Sequence, residues 1–131
     1  MTIPITAIYA GLLVIVLVSL TTRVGLTRVK TGISILDGGS DKVAVEMRRH
    51  GNFVEHVPML LLLMAVVEVN GGNPAFLHVV GIVLVLCRVL HPLGLRHDRV
   101  QTPLRVIGAA GTSFVTIALG SVAIWQGVQM L

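Results

Sequence analysis

The sequence is poor in charged residues. Of its 131 residues, ten are Lys or Arg and six are Asp or Glu; this 12% is about half of what soluble domains carry. Hydrophobic residues make up 54%, and the mean hydropathy is +0.90. A chain of this size has too much surface to cover for that composition to suit a soluble domain. Intrinsic disorder is excluded because it requires low hydrophobicity and high charge. The composition therefore predicts a single-domain integral membrane protein.

Cysteine and aromatic residues are also scarce. The single cysteine excludes a disulfide framework, a cysteine-based zinc site and a CxxC redox pair. No two of the five histidines have a spacing that suits metal binding on one helix, so no metal site is predicted. His78 stands alone in an apolar run, where an interhelical hydrogen bond is expected. The basic segments contain almost no aromatic residues, so nucleic-acid binding is not expected despite the net charge of +4.

Charge is absent from four long apolar blocks. A spanning helix needs about 20 residues, and continuous apolar runs do not fit the alternating pattern of a β-barrel. The sequence predicts an all-α bundle of four transmembrane helices, in one domain that covers residues 1–131. The expected helices cover about 3–22, 42–68, 74–91 and 104–126. The turn Asn70-Gly71-Gly72-Asn73-Pro74 separates the second helix from the third, and Glu68 marks the outer end of the second.

The ten basic residues fall in only two of the segments that connect or flank these helices. Six lie in residues 23–49 and four in residues 88–105. By the positive-inside rule, both of these loops are expected in the cytoplasm and both termini outside. In a bacterial source, the membrane would be the inner (plasma) membrane.

Polar residues cluster near the start of the second helix. At about 100° per residue, Arg48, Asn52 and Glu55 share one helix face. Ionisable groups at this depth normally face a bundle interior or an aqueous cavity. Two interpretations remain open: an internal Arg48–Glu55 ion pair with Asn52 bridging helices, or a ligand site.

Three further polar residues are expected at the same membrane face. Arg88 and His91 end the third helix, and Arg105 begins the fourth. Each arginine has an alternative interpretation as an interfacial anchor whose charge reaches water. Together with the second-helix cluster, the three residues would form a cationic pocket that opens to the cytoplasm and suits a small polyanion.

The run from Arg48 to Leu62, RRHGNFVEHVPMLLL, resembles the signature of the MAPEG superfamily, the membrane-associated proteins of eicosanoid and glutathione metabolism. The resemblance continues in Arg88-x-x-His91-x-x-Gly94, in Pro103-Leu104-Arg105 and in Val24-Gly25-Leu26-Thr27-Arg28. It covers essentially the whole chain and is strongest to bacterial members of the microsomal glutathione transferase type.

The resemblance implies a homotrimer that binds glutathione, as co-substrate, between neighbouring subunits near the cytoplasmic face. Residues matching the family pattern would serve as glutathione contacts; they are Arg28, Arg48, Asn52, Glu55 and His91. Arg105 would be the catalytic residue that faces the thiol. Arginines suit the glutathione carboxylates, and a nearby positive charge favours the reactive thiolate.

The implied function is a glutathione-dependent membrane transferase or peroxidase. It would add the glutathione thiolate to an apolar electrophile or reduce a lipid peroxide, the lipophilic substrate entering from the membrane. The alternative is a non-enzymatic lipid-binding or scaffold protein of the same fold; a small transporter or channel has less support. Family enzymes often carry tyrosines at positions that match His56, His91, Leu95 and Ala109, whereas the only tyrosine here is Tyr9.

Overall fold

Four long helices make up the fold. The computed structural model describes residues 2–131 and places α1 at Pro4–Thr31, α2 at Asp41–Val69, α3 at Pro74–Gly94 and α4 at Pro103–Gln129. Each helix is long and apolar enough to cross a membrane. The predicted all-helical, four-span architecture is confirmed.

Helix α1 is longer than the sequence pattern predicted. The apolar run predicted an end near residue 22, and this boundary was wrong because the helix continues through Arg23, Arg28 and Lys30 to Thr31. It ends at Gly32, whose φ of 70° is left-handed and whose amide donates to the Arg28 carbonyl. At 1.5 Å per residue, α1 is about 42 Å long, so its last turns extend past a hydrocarbon core of about 30 Å.

The other helix ends follow local capping signals. The Asn73 side chain accepts hydrogen bonds from the first-turn amides of α3, and Thr102 caps α4 in the same way. Helix α2 agrees with its predicted bounds to within one residue at each end. Helix α3 continues beyond the predicted end at residue 91, through Pro92 to Gly94, and α4 runs three residues beyond residue 126.

The helices form a ring in the order α1, α2, α4, α3. The closest packing joins α3 to α4 and α1 to α2, whereas α1 and α4 make no contact within residues 2–131. Leu and Val dominate the core, which contains Leu13, Leu60, Met64, Leu84 and Leu119. Many large apolar side chains, such as Ile15 and Phe114, are exposed on the outer surface of the bundle. Such a surface suits contact with lipid.

The end of the bundle where α1 begins and α2 ends is held by polar contacts. Both oxygens of the Glu68 carboxylate accept hydrogen bonds from α1: Ile5 N at 2.8 Å, and Thr6 N and Oγ1 at 2.8 and 2.7 Å. The Tyr9 hydroxyl lies 2.9 Å from His78 Nδ1. The expected interhelical role of His78 is confirmed. Glu68 lies next to the last residue of α2 and caps α1.

Candidate functional site

An exposed ion pair dominates the polar face of α2. Arg48 and Glu55 lie two helical turns apart and form two parallel hydrogen bonds, Nη1–Oε1 at 2.8 Å and Nη2–Oε2 at 3.1 Å. The pair passes over Gly51, and its side chains are 58% and 47% exposed. An exposed pair of this kind contributes only about 0–1 kcal/mol, so a charged ligand can replace either partner at small cost.

Asn52 lies on the same face but points toward α3. Its Oδ1 accepts a hydrogen bond from Arg88 Nη1 at 2.9 Å, so Asn52 joins α2 to α3. The first interpretation of this cluster is therefore correct for the Asn52 bridge and for the Arg48–Glu55 pairing, but it was wrong in placing the ion pair in the interior, because both side chains are exposed. Because the ion pair is open to solvent, the same face still offers an Arg guanidinium, a carboxylate and an amide to a ligand.

Arg88 is buried inside the bundle. Its interpretation as an interfacial arginine that reaches water was wrong, because only 2% of the residue is exposed. Its Nη2 donates to the Gly108 carbonyl at 3.2 Å and to the Thr112 hydroxyl. The hydrogen-bonding partners of Arg88 on α2 and α4 account for its burial, which the sequence position alone did not reveal.

His91 lies one turn further along α3 and is also buried, at 5% exposure. The backbone of α4 approaches it closely at Gly108, where an added Cβ would lie 2.7 Å from the His91 Cβ. His91 is thus next to Arg88 along α3, and its side chain is buried within the single chain.

The expected glutathione contact Arg28 and the expected catalytic residue Arg105 lie apart from the α2 face. Arg28 donates to the carbonyls of Ile33 and Leu36 at 3.3 and 2.8 Å and to Met47 Sδ, so it organises the α1–α2 loop. Arg105 is half-buried and donates through Nη1 to the Val100 carbonyl at 2.8 Å. The single chain therefore brings Arg48, Asn52 and Glu55 together and adds Arg88, but it does not join Arg28 or Arg105 to them by hydrogen bonds.

A second polar cluster lies on the inward side of α2 and was not anticipated. Glu46 Oε1 lies 2.7 Å from Arg49 Nη1, and Arg23 Nε lies 3.2 Å from Glu46 Oε2. Arg49 also donates to the Leu95 carbonyl at 2.8 Å. The three-residue spacing of Glu46 and Arg49 on one helix was the available signal.

This second cluster borders a cavity of about 600 Å³ between the end of α1, the start of α2 and the segment after α3. At its rim, hydrogen bonding from Arg96 holds the pKa of Asp98 below its ordinary value. The cavity walls carry charges of both signs. Of its three acids, Glu46 and Asp98 are paired with arginines, and Asp41 lies 3.9 Å from His97.

The chain matches the family model described as the MAPEG family over residues 6–125. The chain belongs to the MAPEG family. The expectation from the residue pattern is thereby confirmed. The matched region includes most of α1 and α4, the whole of α2 and α3, and each of the expected site residues.

Two curated relatives are similar to this chain at the sequence level. Both are named inner membrane protein YecN, one from Escherichia coli strain K12 and one from Escherichia coli O6:H1. Each is 33% identical over 93 residues, which is 71% of this chain and 71% of the relative. No solved structure matches the chain.

This MAPEG chain departs from the tyrosine pattern of family enzymes. Tyr9 lies at the opposite end of the bundle from Arg48 and Glu55 and is hydrogen-bonded to His78. No phenol is therefore available at the candidate site within the single chain, and its polar groups there are arginine, histidine, amide and carboxylate.

Proposed function

We propose that this MAPEG protein is a glutathione-dependent transferase or peroxidase of the membrane. The observation that carries the proposal is the open Arg48–Glu55 pair beside Asn52, at the helix end where the basic residues gather. Arg48 and Glu55 carry opposite charges, and both side chains are accessible on the same face of α2. A ligand with both carboxylate and ammonium groups, such as glutathione, complements that arrangement.

Each group on the face has a role in binding. Arg48 offers two parallel N–H donors to a glutathione carboxylate, which is the geometry that guanidinium groups bind best. Glu55 accepts hydrogen bonds from the glutathione ammonium, and Asn52 bonds to a peptide group. His91, one turn beyond Arg88 on α3, supplies a hydrogen bond when the ligand or a neighbouring subunit exposes its ring.

Arg105 is the proposed catalytic residue. Its backbone lies against Gly94 at the junction of α3 and α4, and its guanidinium has donors beyond the one bonded to Val100. A positive charge beside the glutathione sulfur stabilises the thiolate, which is the form that attacks an electrophile. The thiolate then adds to an apolar electrophile that arrives from the bilayer. With a lipid peroxide it attacks the O–O bond, which gives the lipid alcohol and a glutathione sulfenic acid, and a second glutathione converts the latter to the disulfide and water.

The proposal places the chain in a homotrimer within the inner membrane, with both termini outside and both basic loops in the cytoplasm. The inner membrane is the location named for the YecN relatives. In a trimer with the ligand between subunits, Arg28 of one subunit approaches the α2 face of the next. This arrangement explains how Arg28 contributes although the single chain holds it in the α1–α2 loop.

Glutathione binding to the purified protein in detergent tests the proposal. We expect Arg48→Gln to weaken binding by about tenfold, because it removes a charge-assisted pair of hydrogen bonds. Arg96→Gln is the matched control, since Arg96 also forms an exposed ion pair, with Asp98, away from the α2 face. Absence of binding at millimolar glutathione, or equal losses in the two variants, contradicts the proposal.

The second candidate is a non-enzymatic lipid-binding or scaffold protein of the same fold. It is favoured by the position of Tyr9 at the far end and by the engagement of Arg105 with Val100. Conjugation of glutathione to an apolar electrophile, measured in the same detergent preparation, separates the candidates. Binding without turnover supports the scaffold, whereas turnover supports the transferase.

A further inference from the structure

Arg88 is a buried guanidinium without an acidic partner. It is 2% exposed, and no carboxylate within residues 2–131 pairs with it. Its Nε also lacks a hydrogen-bond partner. A buried charge in a membrane helix is costly and is usually retained for function, so the contacts of this side chain indicate its purpose.

The two ends of the guanidinium hold three helices together. Nη1 on α3 donates to Asn52 Oδ1 on α2 at 2.9 Å, while Nη2 donates to Gly108 O and Thr112 Oγ1 on α4. The Thr112 hydroxyl uses its own hydrogen on the Gly108 carbonyl at 2.7 Å, so its oxygen is free to accept from Arg88. The planar guanidinium is therefore fixed from both sides.

This arrangement settles the orientation of the Asn52 amide. Guanidinium nitrogens only donate, so the Asn52 atom bonded to Arg88 must be the carbonyl oxygen. The amide nitrogen Nδ2 is left with two N–H donors and makes no hydrogen bond within residues 2–131. Asn52 is half-buried on the face that carries Arg48 and Glu55, so these donors belong to the candidate site.

We infer that Arg88 is a positioning residue for the ligand site: by occupying the Asn52 carbonyl, it makes Asn52 a pure hydrogen-bond donor. Asn52 then binds an acceptor of the ligand, a peptide carbonyl or a carboxylate, and not its ammonium or N–H groups. The inference rests on the proposed function, because it assigns the ligand contact of Asn52. It also explains why an arginine without an acidic partner is retained inside the bundle, directly behind the exposed α2 face.

A double-mutant cycle tests the inference, with glutathione affinity and the midpoint of thermal unfolding measured on each protein. The variants are Arg88→Lys, Asn52→Ala and the two combined, and Arg99→Lys is the matched control at an exposed arginine. We expect Arg88→Lys to weaken glutathione binding by about tenfold, because an ammonium cannot bridge both sides. In the Asn52→Ala background, the same change should cost less than about twofold, because Arg88 acts through Asn52.

Asn52→Asp provides the second test. The new carboxylate still accepts from Arg88 and adds an ion pair, so the unfolding midpoint should not fall. Glutathione binding should nevertheless weaken by about tenfold, because the carboxylate has no N–H to donate. If Asn52 has only a structural role, Asn52→Asp should leave both the glutathione affinity and the unfolding midpoint unchanged.

The outcomes separate the inference from the proposed function. Equal loss of affinity on Arg88→Lys in both backgrounds overturns the positioning role, even if the wild type binds glutathione. Additive unfolding midpoints overturn the Arg88–Asn52 link itself. If the wild type binds no glutathione, the proposed function and the positioning role both fail. Non-additive shifts of the unfolding midpoint in the Arg88 and Asn52 variants would then show that Arg88 serves only the stability of the fold.

Discussion

At the scale of single residues, Arg105 is the position at which a substitution can separate glutathione binding from the ionisation of the thiol. It lies in the first turn of α4 and is half-buried, with its guanidinium bonded to the Val100 carbonyl. Arg48 and Glu55 supply the charges that suit the ends of glutathione, whereas Arg105 is proposed to act on the sulfur. Loss of Arg105 should therefore affect the state of the thiol more than the occupancy of the site.

The prediction for Arg105→Ala is a loss of thiolate at nearly unchanged affinity. The bound thiol loses the positive charge that favours its ionised form, so the thiolate absorbance of bound glutathione should fall by about tenfold. The dissociation constant should change by less than about threefold. Ultraviolet difference spectra and equilibrium binding measure the two quantities, with Arg99→Ala as an exposed control. Parallel loss of absorbance and affinity would assign Arg105 to binding only.

At the scale of helices, the apolar runs and turn residues predicted all four elements, but not every end. The end of α1 was missed because hydropathy reports where lipid ends, whereas the helix ends at the left-handed Gly32. Helical periodicity predicted one shared face for Arg48, Asn52 and Glu55, and the structure places the three residues on that face. The burial of Arg88 was missed because it depends on Gly108 and Thr112, which no local pattern connects to α3.

The junction of α3 and α4 makes a specific prediction about packing. A Cβ on Gly94 would overlap the Arg105 amide nitrogen and lie 2.7 Å from Thr102 Oγ1. Since the obstructing atoms include backbone, Gly94→Ala should destabilise the fold by about 1–3 kcal/mol and shift the start of α4. Thermal unfolding in detergent checks this.

Gly11→Ala is the control for the Gly94 substitution. No atom lies within 4 Å of a Cβ at Gly11, and alanine favours a helix over glycine by about 1 kcal/mol. Its unfolding midpoint should stay the same or rise. A midpoint for Gly94→Ala that matches the Gly11 variant would show that the two helices can separate without cost.

At the scale of the whole molecule, the charge distribution and the ring of helices predict the orientation in the membrane. The ten Lys and Arg residues lie at one end of the bundle, and the outer surface between the ends is largely apolar. Basic loops are retained in the cytoplasm during insertion. We therefore predict that the proposed glutathione site is reached from the cytoplasm.

Cysteine labelling in intact cells tests this orientation. The native Cys87 is buried, so a single added cysteine reports its own position. We expect a membrane-impermeant maleimide to label Gln129→Cys at the outer end of α4 in intact spheroplasts. Ser34→Cys, in the exposed α1–α2 loop, should react only after permeabilisation. The reverse pattern would contradict both the orientation and cytoplasmic access to the site.

The Glu68 cap has a consequence for biogenesis. Helix α1 begins with Pro4, and its N-cap Ile3 offers no side-chain acceptor, so the amides of Ile5 and Thr6 depend on a carboxylate more than 60 residues later in the chain. Unpaired amides are costly at a membrane boundary. Helix α1 leaves the ribosome before α2, so its first turn remains without this partner until the C-terminal end of α2 has been made. Insertion should favour the α1–α2 hairpin as a unit, with Glu68 closing it.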